Sequence, residues 1–185
     1  ALISLSNLSD DRMRLAKSGQ WWVNDPQRAL ANNSATYTER PQTEIFLKEW
    51  MSLIESKSGE RGIFNKHAAI KKAESTGRRD ASKIAGTNPC AEISLRSAGL
   101  CNLSEVVIRS TDTLEDLKHK VRIATIIGTY QSLLTDFKYI RPIWKQNQED
   151  ERLLGVSLTG IMDHPVLSKT QPLTDDWLRQ LKQVA

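Results

Sequence analysis

Residues 106–158 carry a short apolar run, a long helical period and a second short apolar run, in that order. Val106, Val107 and Ile108 read as a short buried strand. Leu114, Leu117, Val121, Ala124, Ile127 and Leu134 form the apolar stripe of a helix that starts at Asp112 or Thr113 and runs to about Thr135. Residues 154–158 read as a strand again. A helix between two strands is the usual crossover of a parallel pair, since parallel neighbours need a long connection. The remaining chain repeats the alternation of strand and helix, so the expected fold class is α/β with mostly parallel pairing. No internal repeat, low-complexity tract or linker interrupts it.

The other elements follow from local signals. Leu2, Ile3 and Leu5 predict a short strand, and Ser9 a cap for a brief helix ending near Gly19. Residues 21–37 are rich in Asn, Asp and Pro and read as a long ordered loop. Trp21 and Trp22 within it fit core packing better than a stacking platform. Thr43 is expected to cap a helix to about Lys57, with Phe46, Leu47, Trp50, Leu53 and Ile54 on its apolar face and Gly59 ending it. A strand at 61–64 and a basic helix over 66–76, stopped by Gly77, come next. Pro142 suits the first turn of a helix, Gly160 precedes a further short one, and 177–184 closes the chain as an amphipathic helix.

Composition excludes several classes. The chain of 185 residues is 39% hydrophobic with five tryptophans, enough for a buried core. It has no apolar run near the roughly 20 residues a membrane helix needs, and no secretory-signal pattern. Two cysteines do not make a disulfide framework, so a reduced cytoplasmic setting is expected. The net charge of +4 is concentrated at Lys71-Lys72, Arg78-Arg79 and 141–145, but acids are interspersed and no aromatic ladder accompanies the basic residues. These clusters read as solvated helix faces, with no nucleic-acid partner expected; a basic nucleic-acid-binding module is the remote alternative. His67, His119 and His164 lack zinc spacing, so no metal site is expected, and 155–160 lacks a phosphate-loop lysine.

The chemistry gathers in Asn88-Pro89-Cys90-Ala91-Glu92, with Cys101 eleven positions after Cys90. Pro89 biases Asn88 toward extended backbone, where residues i, i+2 and i+4 share a face. Asn88, Cys90 and Glu92 are then expected to point into one pocket, on a loop that turns into a strand at 93–95. A buried Cys90 beside a carboxylate disfavours the thiolate and leaves a neutral thiol, a poor nucleophile but a hydrogen-atom donor. Glu92 suits a general base, Asn88 offers a donor and an acceptor to a hydroxyl, and Cys101 can supply electrons by forming a disulfide. A cysteine hydrolase would want a histidine beside the thiol, and no such signature is present.

Gly86-Thr87-Asn88-Pro89-Cys90-Ala91-Glu92-Ile93, followed by Cys101-Asn102-Leu103-Ser104-Glu105-Val106-Val107-Ile108-Arg109, closely resembles the radical-cysteine region of ribonucleotide reductases. Asn-Pro-Cys at this spacing is most similar to the adenosylcobalamin-dependent class, and within it to the monomeric ribonucleoside-triphosphate type. Class I enzymes usually carry Asn-Leu-Cys there. Arg28-Ala29-Leu30-Ala31-Asn32-Asn33-Ser34, residues 58–65 and residues 151–160 also resemble family stretches, and residues 1–6 resemble the strand after the family's substrate-specificity loop. Ala91 stands where the class more commonly has Gly; its methyl is expected to be tolerated if the backbone stays extended.

The resemblance implies part of a ten-stranded α/β barrel over residues 1–185, with Cys90 on a central finger loop. It implies a thiyl radical at Cys90, general-base work by Glu92, orientation of substrate hydroxyls by Asn88, and one half of a redox-active pair at Cys101. It further implies adenosylcobalamin as cofactor, a ribonucleoside triphosphate substrate, a thioredoxin-like reductant and nucleotide allosteric effectors. A ribonucleoside-diphosphate reductase of the same superfamily is the alternative. Family members carry the second cysteine of the pair far upstream, and none precedes Cys90 here. The chain is therefore expected to be an internal piece of a larger enzyme, inactive by itself.

Overall fold

The computed structural model describes residues 10–57 and 59–185. The strand expected at Leu2, Ile3 and Leu5 and the Ser9 cap lie outside the described residues. The chain divides into two compact units, residues 1–99 and 100–185.

In the first unit, α1 (Asp11–Leu15) is capped by Asp10, whose carboxylate accepts from the Arg12 and Met13 N–H groups at 3.1 Å each. The stretch expected to be a long loop is more ordered than its composition implies. It holds α2 (Trp21–Asn24), a 3₁₀ turn (Pro26–Leu30) and β1 (Ala35–Tyr37). Pro26 starts the 3₁₀ turn, where its missing N–H costs nothing. Trp22 is exposed rather than packed in a core, while Trp21 is half-buried under the Lys17 ammonium, 5.0 Å from its ring. In α3 (Thr43–Ser56), Thr43 is the first helical residue and not the cap; Gln42 holds the cap position. Lys57 takes the left-handed closing conformation (φ 52°) ahead of Gly59. Next come β2 (Ile63–Asn65) and α4 (Lys66–Thr76), capped by the Asn65 side chain and closed by left-handed Gly77 as expected.

β1 and β2 pair in parallel, Ala35 opposite Ile63, with α3 as the connection. β3 (Ile84–Thr87) and β4 (Ser94–Arg96) pair antiparallel. The expectation of parallel pairing fails there because residues 88–93 are far too few for a crossover, which takes about a dozen residues or more.

The interior of this unit is strongly polar. Glu49 of α3 and Arg61 are each 1% exposed, and Arg61 grips the carboxylate in a bidentate pair, Nε to Oε1 at 2.7 Å and Nη2 to Oε2 at 2.8 Å. Arg14 Nε adds a third donor at 3.4 Å. α3 therefore turns its carboxylate inward, and Phe46, Leu47, Trp50 and Ile54 of the expected apolar face are exposed. Phe46 bridges the buried Tyr37 ring and Trp50, with centroids 6.4 and 6.2 Å apart. Burial, reinforced by the negative charge of Glu49, pushes the Tyr37 hydroxyl upward in pKa.

The second unit realises the strand–helix–strand pattern. β5 (Asn102–Val107) and β6 (Leu154–Thr159) are parallel, Asn102 opposite Leu154 through Val107 opposite Thr159. Between them lie α5 (Leu114–Ser132) and α6 (Pro142–Glu151); α7 (Pro172–Val184) follows and starts earlier than the pattern suggests. Thr113 and Asp116 close a reciprocal capping box at the start of α5, and Pro142 occupies the first turn of α6. Val106, Ile108, Leu117, Val121, Ala124, Leu167 and Leu181 form the core. Ile127 and Leu134, expected on the buried stripe, are exposed. Gly128 lets α5 approach β6 closely, since a Cβ there would overlap the Leu154 side chain. Gly160 is left-handed (φ 78°), and a Cβ would stand 2.5 Å from the Ile108 carbonyl oxygen; the helix expected after it is a 3₁₀ turn (Ile161–Asp163). His164 is buried; Nδ1 accepts from the Val166 and Leu167 N–H groups, and Nε2–H donates to the Asp112 carbonyl at 2.9 Å.

Hydrogen bonds from Arg61 hold the Glu49 carboxyl below its ordinary pKa of 4.5, against the upward push of burial. Its folded-state pKa lies below its unfolded one, so its stabilisation is complete above the ordinary value and disappears as pH falls through the lowered one. Arg61→Leu, which strands a buried carboxylate, should cost about 3–5 kcal/mol near neutral pH, read from urea midpoints. Glu49→Gln should flatten the acid limb of the wild-type midpoint-against-pH curve; an unchanged limb would assign acid sensitivity elsewhere.

Candidate active site

The β3–β4 hairpin carries Asn88, Cys90 and Glu92 at its tip. The Asn88 N–H donates to the Ile93 carbonyl at 3.2 Å, continuing the ladder by one step. The Asn88 carbonyl then accepts from the Ala91 N–H at 3.0 Å, closing a four-residue turn with Pro89 second, a position its fixed φ suits. The segment is thus a turn and not the extended run expected from Pro89. Because the chain reverses there, the i, i+2, i+4 rule does not apply to residues 88, 90 and 92.

Asn88 and Glu92 nevertheless meet, by a different route. Asn88 Nδ2 donates to Glu92 Oε1, while Asn88 Oδ1 accepts from the Ile93 N–H at 3.0 Å. The second contact settles the orientation of the amide: with its oxygen held by a backbone donor, its NH₂ faces the carboxylate. Asn88 is 5% exposed, whereas Cys90 and Glu92 are exposed. Burial of Cys90 is one of the two reasons expected for a neutral thiol, beside the nearby carboxylate, and the exposure of Cys90 removes it. A tight turn projects its central residues away from the sheet, and Cys90 stands there as a free thiol.

Ala91 adopts φ 67°, so the extended backbone expected to accommodate its methyl is not present. Turns followed by a left-handed residue are a common hairpin connection, and the left-handed place favours Gly because a Cβ crowds the next carbonyl.

A residue given no role from sequence supports the turn from below. Asn32 is 5% exposed, and its Nδ2 reaches the Asn88 carbonyl at 3.0 Å, Thr87 Oγ1 at 3.1 Å and the Thr87 carbonyl at 3.3 Å. Its Oδ1 accepts from the Ser34 N–H at 3.2 Å. In the sequence Asn32 stands out only as part of the stretch Arg28–Ser34 that resembles the family, with no role attached to it. Nothing local signals a contact across 56 positions.

Cys101 belongs to the second unit, half-buried at the residue before β5. The next residue is anchored by both its donors, as Asn102 N–H and Nδ2 reach the Leu153 carbonyl at 2.9 and 3.0 Å. The structure therefore joins Asn88 to Glu92 with Cys90 in the turn between them, and places Cys101 in the other unit. Glu105 is exposed. Arg109 is exposed too, and its backbone N–H donates to Asp112 Oδ2, a local turn contact. Among the described residues no group of three or more His, Cys, Asp or Glu side chains is placed to hold a metal, and no helix is long and apolar enough to cross a membrane.

An exposed thiol flanked by an amide–carboxylate pair can give up a hydrogen atom to one reactant. The carboxylate can take a proton from a hydroxyl that displaces it from the amide.

Residues 13–175 match the family described as the ribonucleotide reductase barrel domain. The chain is similar to the adenosylcobalamin-dependent ribonucleoside-triphosphate reductase of Lacticaseibacillus paracasei, with 32% identity over 168 residues, covering 88% of this chain and 21% of that relative. It thus spans about a fifth of that relative's length. No solved structure gives a significant match.

Replacing the left-handed alanine should relieve strain. Ala91→Gly is expected to raise stability by about 1 kcal/mol, and Ala91→Val to lower it by more than that, both read from chemical denaturation.

Proposed function

Because this chain belongs to the ribonucleotide reductase family as part of its barrel domain, we propose that the hairpin tip is the radical-bearing site of a ribonucleoside-triphosphate reductase. The reaction yields 2′-deoxyribonucleoside triphosphates for DNA synthesis. One observation carries the reading: an exposed Cys90 thiol in a closed turn flanked by Asn88 and Glu92, whose side chains are hydrogen-bonded to each other. In the whole enzyme this hairpin is the central finger of a ten-stranded α/β barrel. Its setting is the cytoplasm, where thioredoxin-like proteins restore the thiols and nucleotide effectors tune specificity.

Adenosylcobalamin fits this site on one structural ground: the Cys90 sulfur stands at an exposed tip, reachable by a bulky group that a buried thiol would exclude. When bound, it supplies one-electron chemistry that converts a thiol into a thiyl radical. The rest falls to the chain. The Cys90 thiyl takes the 3′-hydrogen of the ribose. Glu92 accepts the 3′-hydroxyl proton as the 2′-hydroxyl departs as water with a proton from the thiol pair, and Glu92 gives its proton back when the 3′-hydroxyl re-forms. Asn88 Nδ2, which donates to Glu92 at the tip, donates to a sugar hydroxyl once substrate separates the pair. Two electrons and two protons come from a thiol pair that closes to a disulfide, Cys101 being one member and the other lying outside these 185 residues. Cys90 returns hydrogen to C3′ and is itself regenerated as the radical, so the net change is one hydroxyl lost as water and one disulfide formed.

In the full-length enzyme, Cys90→Ser should abolish turnover with folding intact, because a hydroxyl hydrogen is far harder to abstract. Glu92→Gln should lower kcat by about 10²–10⁴-fold, the range for removal of a general base. Cys101→Ser should stop thioredoxin-supported turnover while radical initiation survives. Assays with di- and triphosphates, with and without adenosylcobalamin, test the class. Activity that ignores cobalamin and requires an iron- or manganese-containing subunit would overturn it.

A further inference from the structure

The catalytic groups at residues 88–92 sit on a turn, and a turn is only as well placed as its base. Three sets of hydrogen bonds meet at Asn88. Its N–H and carbonyl are held by Ile93 and Ala91, its Oδ1 by the Ile93 N–H, and its carbonyl a second time by Asn32 Nδ2. The first two belong to the hairpin and move with it. Among the described residues, the Asn32 bond is what ties the turn to a different part of the unit. Asn32 is fixed in its turn by the Ser34 N–H on its Oδ1, and Ser34 directly precedes β1. Asn32, Ser34, Thr87 and Asn88 are all 5% exposed or less, which leaves little room for water to substitute for the amide.

We propose that Asn32 is a positioning residue for the reaction, acting through the Asn88 carbonyl to aim the Asn88 amide and, through it, Glu92. This rests on the reading of residues 88–92 as the reactive tip. The path runs from the Ser34 N–H to Asn32 Oδ1, from Asn32 Nδ2 to the Asn88 carbonyl, and from Asn88 Nδ2 to Glu92. Asn32 touches neither substrate nor radical. Loss of its bond frees the turn to tilt about the hairpin axis, and small misplacements of reacting groups are costly because the reactive geometry is narrow.

The test uses the full-length enzyme, with Asn32→Ala, Asn32→Asp and, as control, Asn33→Ala. Asn33 is adjacent, equally buried and of the same type, but its Nδ2 donates to the Met13 carbonyl at 2.9 Å. Asn32→Asp keeps the acceptor for Ser34 and removes the donors to the turn. The expected result for both Asn32 variants is a kcat lowered by on the order of 100-fold with KM within about threefold of wild type. Hydrogen exchange at the Ala91 and Ile93 amides should accelerate in the same variants. Asn33→Ala should leave kcat and both amides near wild type even if its melting temperature falls as far. Wild-type kcat in Asn32→Asp, or equal losses in the Asn32 and Asn33 variants, would overturn the proposal. If Cys90→Ser retained turnover, the functional reading would fall instead, and unchanged exchange at Ala91 and Ile93 would separately refute the hold of Asn32 on the turn.

Discussion

The carbonyl of Asn88 accepts two hydrogen bonds, from the Ala91 N–H and from Asn32 Nδ2, and the hairpin tip is organised around it. The first closes the turn and so carries Cys90 outward. The second ties the turn to the segment that enters β1. With the carbonyl held on both sides, the Asn88 side chain is left a narrow set of directions, and the Ile93 N–H selects among them the one that presents NH₂ to Glu92. An amide suits this place because it accepts with one end and donates with the other. A carboxylate at 88 would set two negative charges against each other, and a hydroxyl would reach only one partner.

Each unit has its own kind of interior. The second has an apolar core in which α5 covers a parallel strand pair and α7 packs against α5. The first buries Glu49 against Arg61 and sends much of the apolar face of α3 outward. A buried ion pair adds little net stability over well-packed apolar residues, but it penalises any arrangement that separates the partners. In the first unit it ties the middle of α3 to the approach to β2. Arg14 joins the same carboxylate from the segment around α1, so three separate stretches of chain converge on one side chain.

Sequence patterns were legible where the cause of structure was local. The start of α5 at Thr113, the stop at Gly77, Pro142 in a first helical turn and the parallel return of β6 beside β5 all follow from neighbours within a few positions or from a long periodic stretch. They failed where a distant partner decided. Residues 21–37 look loop-like because Asn, Asp and Pro dominate, yet β1 forms there because β2 supplies hydrogen bonds from beyond α3. The apolar stripe of α3 announced a buried face; the inward side is instead set by Arg61, which no period within α3 can reveal. Residue type and spacing nominate Asn88, Cys90, Glu92 and Cys101 as candidates, but they do not nominate Asn32.

What the sequence determined by itself was the chemistry available: an amide, a thiol and a carboxylate within five positions, a second thiol shortly after, and a family pattern around them. Tertiary structure alone decided their geometry. Because Thr87 and Ser94 belong to antiparallel neighbours, the intervening residues had to reverse direction, which exposed Cys90, put Ala91 into left-handed backbone and brought Asn88 to Glu92 across the turn. The reversal is a property of strand pairing, and pairing partners are chosen by the whole unit, not by the five residues that bear the reactive groups.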